Sequence, residues 1–181
     1  MREKVTIFVI VVMCLFITSS SMAGGRENMQ MVGKGAAYYL KVIKVYDAEL
    51  YSAKRVAPED ILRPSVSKCL YLQYVVGLKK DDFITAANTV LARQFTPEQL
   101  SKVAKELEIL HDGYQDVEKG DSYTLCYADK TETTSLAFND KVVVAVSSPY
   151  FAETYFSIWL GATAPLDDKL RKNLLAGISD N

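Results

Sequence analysis

Apolar and polar positions alternate along residues 38–51. Tyr38, Leu40, Val42, Tyr46, Ala48 and Leu50 share one face of an extended chain, and the spacing predicts one long strand. Lys44 interrupts that face at its middle. A β-bulge near Ile43 would turn this lysine outward and keep the face dry. Alternatively, its stem lies along apolar surface while the ammonium reaches a ligand. Residues 68–76 (KCLYLQYVV) are apolar on both faces, the pattern of a central strand. The period then lengthens. Asp81 and Asp82 can cap a helix starting near Phe83, with Phe83, Ala86, Ala87, Val90 and Leu91 on one side. Thr96-Pro97-Glu98-Gln99 combines a capping threonine, a first-turn proline and a capping-box glutamine. The stripe Leu100, Val103, Leu107 and Leu110 then predicts a single helix ending at Asp112-Gly113.

Short alternating runs return at 122–129, 134–140 and 141–147, joined by polar turns at 129–133 and at Asn139-Asp140, and they predict a meander of antiparallel hairpins. Ser148-Pro149 opens a further helix that Gly161 closes. Pro165-Leu166-Asp167-Asp168 begins the last helix, with acids in its first turn and Gly177 at its end. Strands, helices, strands and helices in that order argue the α+β class: an antiparallel sheet with helices packed on one face.

The ends of the 181-residue chain change the picture. A charged start, an apolar run over Val5–Ile17 and small residues up to Ala23 follow the order of a secretory signal peptide. The run is too short for a stable membrane anchor, an uncleaved anchor being the weaker alternative. The expected division is a signal peptide at 1–23 and one domain at 24–181. The protein is thus expected to be exported, to periplasm or medium, with no stable membrane span after cleavage. The 21 basic and 22 acidic residues give no electrostatic case for nucleic acid or an anionic membrane as a partner. Cys69 and Cys126 can pair in an oxidising compartment, but their apolar settings favour two buried, unpaired small hydrophobes.

Candidate chemistry is sparse. His111, the single histidine, falls in the last turn of a predicted helix, where a cation suits the helix dipole. With no Cys-x-x-Cys, no triad and no phosphate loop, the sequence offers no metal site, no cofactor and no catalytic residue of its own. What stands out is the helix after Ser148. Phe151, Tyr155 and Trp159 succeed one another at four-residue spacing on one face. The spacing favours core, but such a stripe against a sheet also lines apolar ligand cavities.

Three stretches, KVYDAELYSA (44–53), VEKGDSYTLCYADKTETTSLAFND (117–140) and FSIWLGATAPLDDKLRKNLLAG (156–177), in this order resemble the chalcone isomerase-like superfamily, specifically its short exported bacterial branch. The resemblance implies an open-faced sandwich with an apolar cleft between sheet and helices. It offers two functions: closure of a chalcone ring by addition of a phenol to an enone, or non-catalytic binding of fatty acids or flavonoid-like ligands. At the family's catalytic positions this chain departs. Gly33-Lys34-Gly35 is followed by Ala36-Ala37-Tyr38 and no arginine, Lys41 and Ile158 stand for threonines, and no tyrosine and asparagine seven apart occupy the helix. Asn88 can match the asparagine, but Asp81 then stands for the tyrosine; if Phe83 stands for it, Val90 replaces the asparagine. Each lost oxyanion donor typically costs about 3 kcal/mol of transition-state stabilisation.

The expectation is therefore a non-catalytic binder of a fatty acid or similar amphiphile, with Tyr38, Lys41, Lys44, Asn88, Tyr155 and Trp159 as ligand-binding candidates and Lys41 ahead of Lys44 as carboxylate anchor. The alternatives are an isomerase that draws its polar groups from other positions, such as Lys41, Tyr38 and Tyr155, and an envelope protein-interaction module.

Overall fold

A turn without glycine, asparagine or aspartate converts the predicted long strand into a hairpin. The computed structural model describes residues 25–178, so the expected leader at 1–23 lies outside the described residues. Strand β1 (Gln30–Tyr39) and strand β2 (Ile43–Ser52) run antiparallel, and the chain reverses between them at Leu40 and Lys41. Both adopt positive φ, 51° and 62°, and Val42 N–H closes the turn on Tyr39 C=O at 3.2 Å. Type I′ hairpin turns require this conformation, and asparagine and glycine accept it best. The alternation through residues 38–51 correctly marked extended chain but carried no sign of the reversal.

The bulge expected near Ile43 occurs two residues on. Ala37 pairs with Tyr46 and Tyr38 with Lys44, leaving Val45 as the extra residue. One additional residue exchanges the faces beyond it. Lys44 consequently points away from the core and forms an ion pair with Asp47 at 2.7 Å.

Strands β3 (Lys68–Tyr74), β4 (Ser122–Ala128), β5 (Thr133–Phe138) and β6 (Lys141–Ser147) complete a six-stranded sheet in sequence order, every neighbour antiparallel. The predicted meander is present. Asn139 and Asp140, at φ 46° and 63°, make its last turn with residue types that tolerate the left-handed region. Cys69 and Cys126 face each other across β3 and β4 and form a disulfide, with Cα atoms 4.1 Å apart. This corrects the unpaired reading. The composition of each strand is equally compatible with both readings; the β3–β4 register is what brings the sulfurs together.

Helices cover one face of the sheet. Helix α1 (Lys80–Gln94) starts three residues before Phe83, and Asp82 accepts from Lys79 N–H at its N-terminus. The capping box at Thr96 and Gln99 opens a helix as expected, but the single helix is two: α2 (Pro97–Ser101) and α3 (Ala104–Asp112) break at Val103, whose φ and ψ are −121° and 12°. Helix α4 (Pro149–Leu160), capped by Ser148, is buried on almost all sides, as its composition requires. Gln94 ties α1 to it by donating to Ser157 C=O at 3.0 Å.

Helix α5 (Asp168–Leu174), capped by Asp167, packs over β1. Gly177 N–H donates to Val32 C=O at 2.8 Å, and the Cα of Gly33 faces the last turn so closely that a Cβ would lie 2.3 Å from Asn173 O. Gly33→Ala is therefore expected to cost at least about 2 kcal/mol through forced separation of α5 from β1. A urea melt reads the loss. Unchanged stability would mean that helix and strand are not in contact.

One cation among the described residues is wholly enclosed. Lys68, on the inner face of β3, directs Nζ at the carbonyls of Val66, Arg63 and Leu62 at 3.0–3.4 Å and lies over the rings of Tyr127 and Phe156. Burial lowers its pKa to about 8.

Candidate functional site

A cavity of about 560 Å³ lies between the sheet and the helices, within the ~300–1,000 Å³ range of small-molecule sites. Its floor comes from five strands, which contribute Ala37, Tyr38, Tyr39, Val45, Tyr46, Leu72, Tyr74, Tyr123, Leu125 and Leu136. The bulge matters here, since it brings Val45 to the cavity while Lys44 leaves. The roof comes from α1, through Phe83, Ala86 and Ala87, and from α4, through Tyr155, Ile158 and Trp159. Tyr114, Leu166 and Asp167 close the sides.

Tyrosine is the signature residue of this cavity, and most of its hydroxyls are engaged with protein. Tyr114 and Tyr155 share a hydrogen bond of 2.7 Å, and Trp159 Nε1 donates to Tyr46 Oη at 3.0 Å. Tyr123 Oη accepts from Gln115 N–H at 2.7 Å and donates to Gln115 C=O at 3.0 Å. The rings pack edge-on around Tyr74 and Phe83, with centroids 5.4 Å apart. Pairing removes the cost of burying these hydroxyls and leaves ring faces as the surface a ligand would meet. Burial pushes the phenol pKa of Tyr46, Tyr74, Tyr114 and Tyr155 upward, so all four are neutral at physiological pH.

The charged lining residues are both acids. Asp82 and Asp167 each use a carboxylate oxygen as a helix-start acceptor, for Lys79 N–H and Leu170 N–H respectively. No lysine or arginine among the described residues lines the cavity. Among the described residues, no group of histidine, cysteine and acid side chains is arranged to hold a metal.

Of the six candidates from sequence, Tyr38, Tyr155 and Trp159 line this cavity. Lys41 stands exposed at the hairpin turn, two residues beyond Tyr39, and Lys44 sits on Asp47. Asn88 lies on another side of α1, in a shallow groove shared with α2, α3 and His111. The helix end does not hold His111 as the expected cation: burial lowers its pKa, and the neighbouring Asp112 raises it less. Tyr46, Tyr74, Phe83, Tyr114 and Tyr123 were not foreseen as cavity residues. Their signal is weak but present: tyrosine at inward strand positions where leucine would fill a dry core at no hydrogen-bonding cost. Ile158, where the resemblance expects a threonine, presents only hydrocarbon to the cavity.

A family model described as chalcone isomerase-like matches residues 17–176. No curated protein matches the sequence. Among solved structures, the fold is similar to the Arabidopsis thaliana fatty-acid binding protein AtFAP1. The TM-score is 0.65 at 15% identity, over 84% of this chain and 89% of that one.

Proposed function

The chain belongs to the chalcone isomerase-like family, and from that premise we propose that it is an exported, non-catalytic binder of a fatty acid or similar amphiphile, of the family's short bacterial branch. The observation that carries this reading is the tyrosine-lined cavity itself, large enough for an acyl chain and apolar over most of its wall. Each buried methylene would contribute about 0.8 kcal/mol, so a long chain needs few polar contacts to be held. Tyr38, Tyr155 and Trp159 contact the chain. Because the charged lining residues are Asp82 and Asp167, a carboxylate belongs at the mouth rather than inside, and Lys41 is its anchor in preference to Lys44 or Asn88. The disulfide supports an oxidising compartment outside the cytoplasm. No described helix is long and apolar enough to cross a membrane.

The non-catalytic reading draws support from the state of the phenols. Tyr114 and Tyr155 are bonded to each other and held well above their ordinary pKa, which makes them weak acids for assisting a ring closure at neutral pH. Native mass spectrometry on the chain from Gly24 onward, recovered from a bacterial periplasm, tests the reading. A discrete adduct whose solvent extract contains acyl chains is expected. A clean mass, together with no change in Trp159 fluorescence on titration with a long-chain fatty acid, would refute it. Ala87→Phe, which places a ring in the cavity, is expected to weaken that titration at least about tenfold, since it displaces several methylenes.

A further inference from the structure

We propose that the tip of the β1–β2 hairpin is a membrane-contact site that seats in the interface of an anionic lipid bilayer. Ten large hydrophobic side chains stand exposed among the described residues, and five of them occupy positions 38, 39, 40, 42 and 43. Leu40 and Val42, at 71% and 76% exposed, are the most uncovered of all. The backbone makes the choice of residues harder to attribute to folding. Leu40 and Lys41 both hold positive φ, whereas the matching turn of the same sheet spends Asn139 and Asp140 on that conformation. A left-handed conformation is unfavourable for a leucine, and strain of this kind is retained where a side chain is needed for something other than stability.

The chemistry of the tip fits a lipid surface. Tyrosines favour the headgroup level of a membrane, aliphatic side chains the layer beneath, and lysines reach back to anionic phosphates. The tip holds Tyr38 and Tyr39, then Leu40, Val42 and Ile43, with Lys41 in no ion pair among the described residues and Lys44 shared with Asp47. In a chain of net charge −1, this places positive charge beside the largest exposed apolar cluster. A second copy is a poorer occupant, because a stable protein interface takes roughly 20–30 residues a side and a hairpin tip supplies six or seven. Tyr38 and Tyr39 also line the cavity. An amphiphile leaving the bilayer would thus meet the mouth directly, a consequence that rests on the ligand reading, although the contact itself does not.

The test is co-sedimentation of the chain from Gly24, which includes every described element of the fold, with vesicles of phosphatidylcholine alone or mixed with phosphatidylglycerol. Binding is expected to the mixed vesicles. It should fall at least about tenfold in Leu40→Asn with Val42→Thr, which removes the apolar pair but keeps both lysines and relaxes the turn. Lys41→Gln with Lys44→Gln should weaken binding to the mixed vesicles and abolish their advantage over phosphatidylcholine. Thermal melts check that both variants fold. Absence of sedimentation overturns the proposal, as does sedimentation that the Leu40 and Val42 changes leave intact. A dimer in solution that those changes dissociate would assign the tip to a second copy and also overturn it. Fatty-acid titration of the Leu40 and Val42 variant without vesicles separates the two readings: retained binding there with lost sedimentation upholds both, whereas no titration of the unaltered chain with its sedimentation intact removes the cavity reading alone.

Discussion

Raising the pH above 10 is expected to unfold this protein in one steep step. Tyr46, Tyr74, Tyr114 and Tyr155 are buried, and burial raises the pKa of each phenol above its ordinary value of 10.0. A group whose folded pKa lies above its unfolded one contributes stability that is fully present below the unfolded value. That contribution is lost as the pH climbs toward the folded value. Each such phenol removes about 1.4 kcal/mol per pH unit, so the four together remove roughly 5.5 kcal/mol per unit beyond pH 10. A domain of ordinary stability, about 5–15 kcal/mol, cannot survive more than a few units of that slope.

Lys68 works in the opposite sense. Its pKa falls from 10.5 to about 8 on folding, so the folded chain holds fewer protons between those values and stability rises by up to about 3 kcal/mol across the window. The profile should therefore climb gently from pH 8, turn over near 10 and collapse. Phenolate absorbance and near-ultraviolet circular dichroism should change together at the collapse. The full phenolate absorbance of the chain appearing near pH 10 with the dichroism intact would show the buried tyrosines to be open to water. Lys68→Met should flatten the climb and leave the collapse in place.

Loss of the Cys69–Cys126 bond is expected to be nearly as costly. The cysteines are 57 residues apart, and closing a loop of that length restricts the unfolded chain by an amount worth about 4 kcal/mol in the chain-entropy description. Replacing both with alanine should lower the melting temperature by roughly 10 °C. Reductant should be slow to do the same to the native protein, because both cysteines are buried and Gly25 lies against their sulfurs. A melting temperature that the double substitution leaves unchanged would mean that the bond contributes nothing to the fold.

What could be read in the sequence was local chemistry. Thr96 with Gln99, Ser148 before Pro149 and the Asn139-Asp140 turn each satisfy a backbone requirement within four residues, and each appears where expected. The features that escaped depend on partners distant in sequence or on strain. Nothing in Leu40-Lys41 announces a turn, because the residues are the wrong ones for it. Nothing around Val103 marks the break between α2 and α3, because the apolar stripe continues across it. The disulfide is a matter of register between strands separated by three helices. The cavity is a matter of volume. Tyr155 and Trp159 were identifiable as a stripe on α4, but whether the facing tyrosines of four strands fill that space or merely border it is decided by packing.

The bond from Gly177 to Val32 bears on how the chain is made. An uncovered edge strand is a template for pairing with other chains, and here the cover of β1 is supplied by α5 and the turn that follows it. Strand β1 must therefore wait for a helix made after all the other described strands before its edge is protected. Until then the nascent chain remains open at one side, which makes early release hazardous.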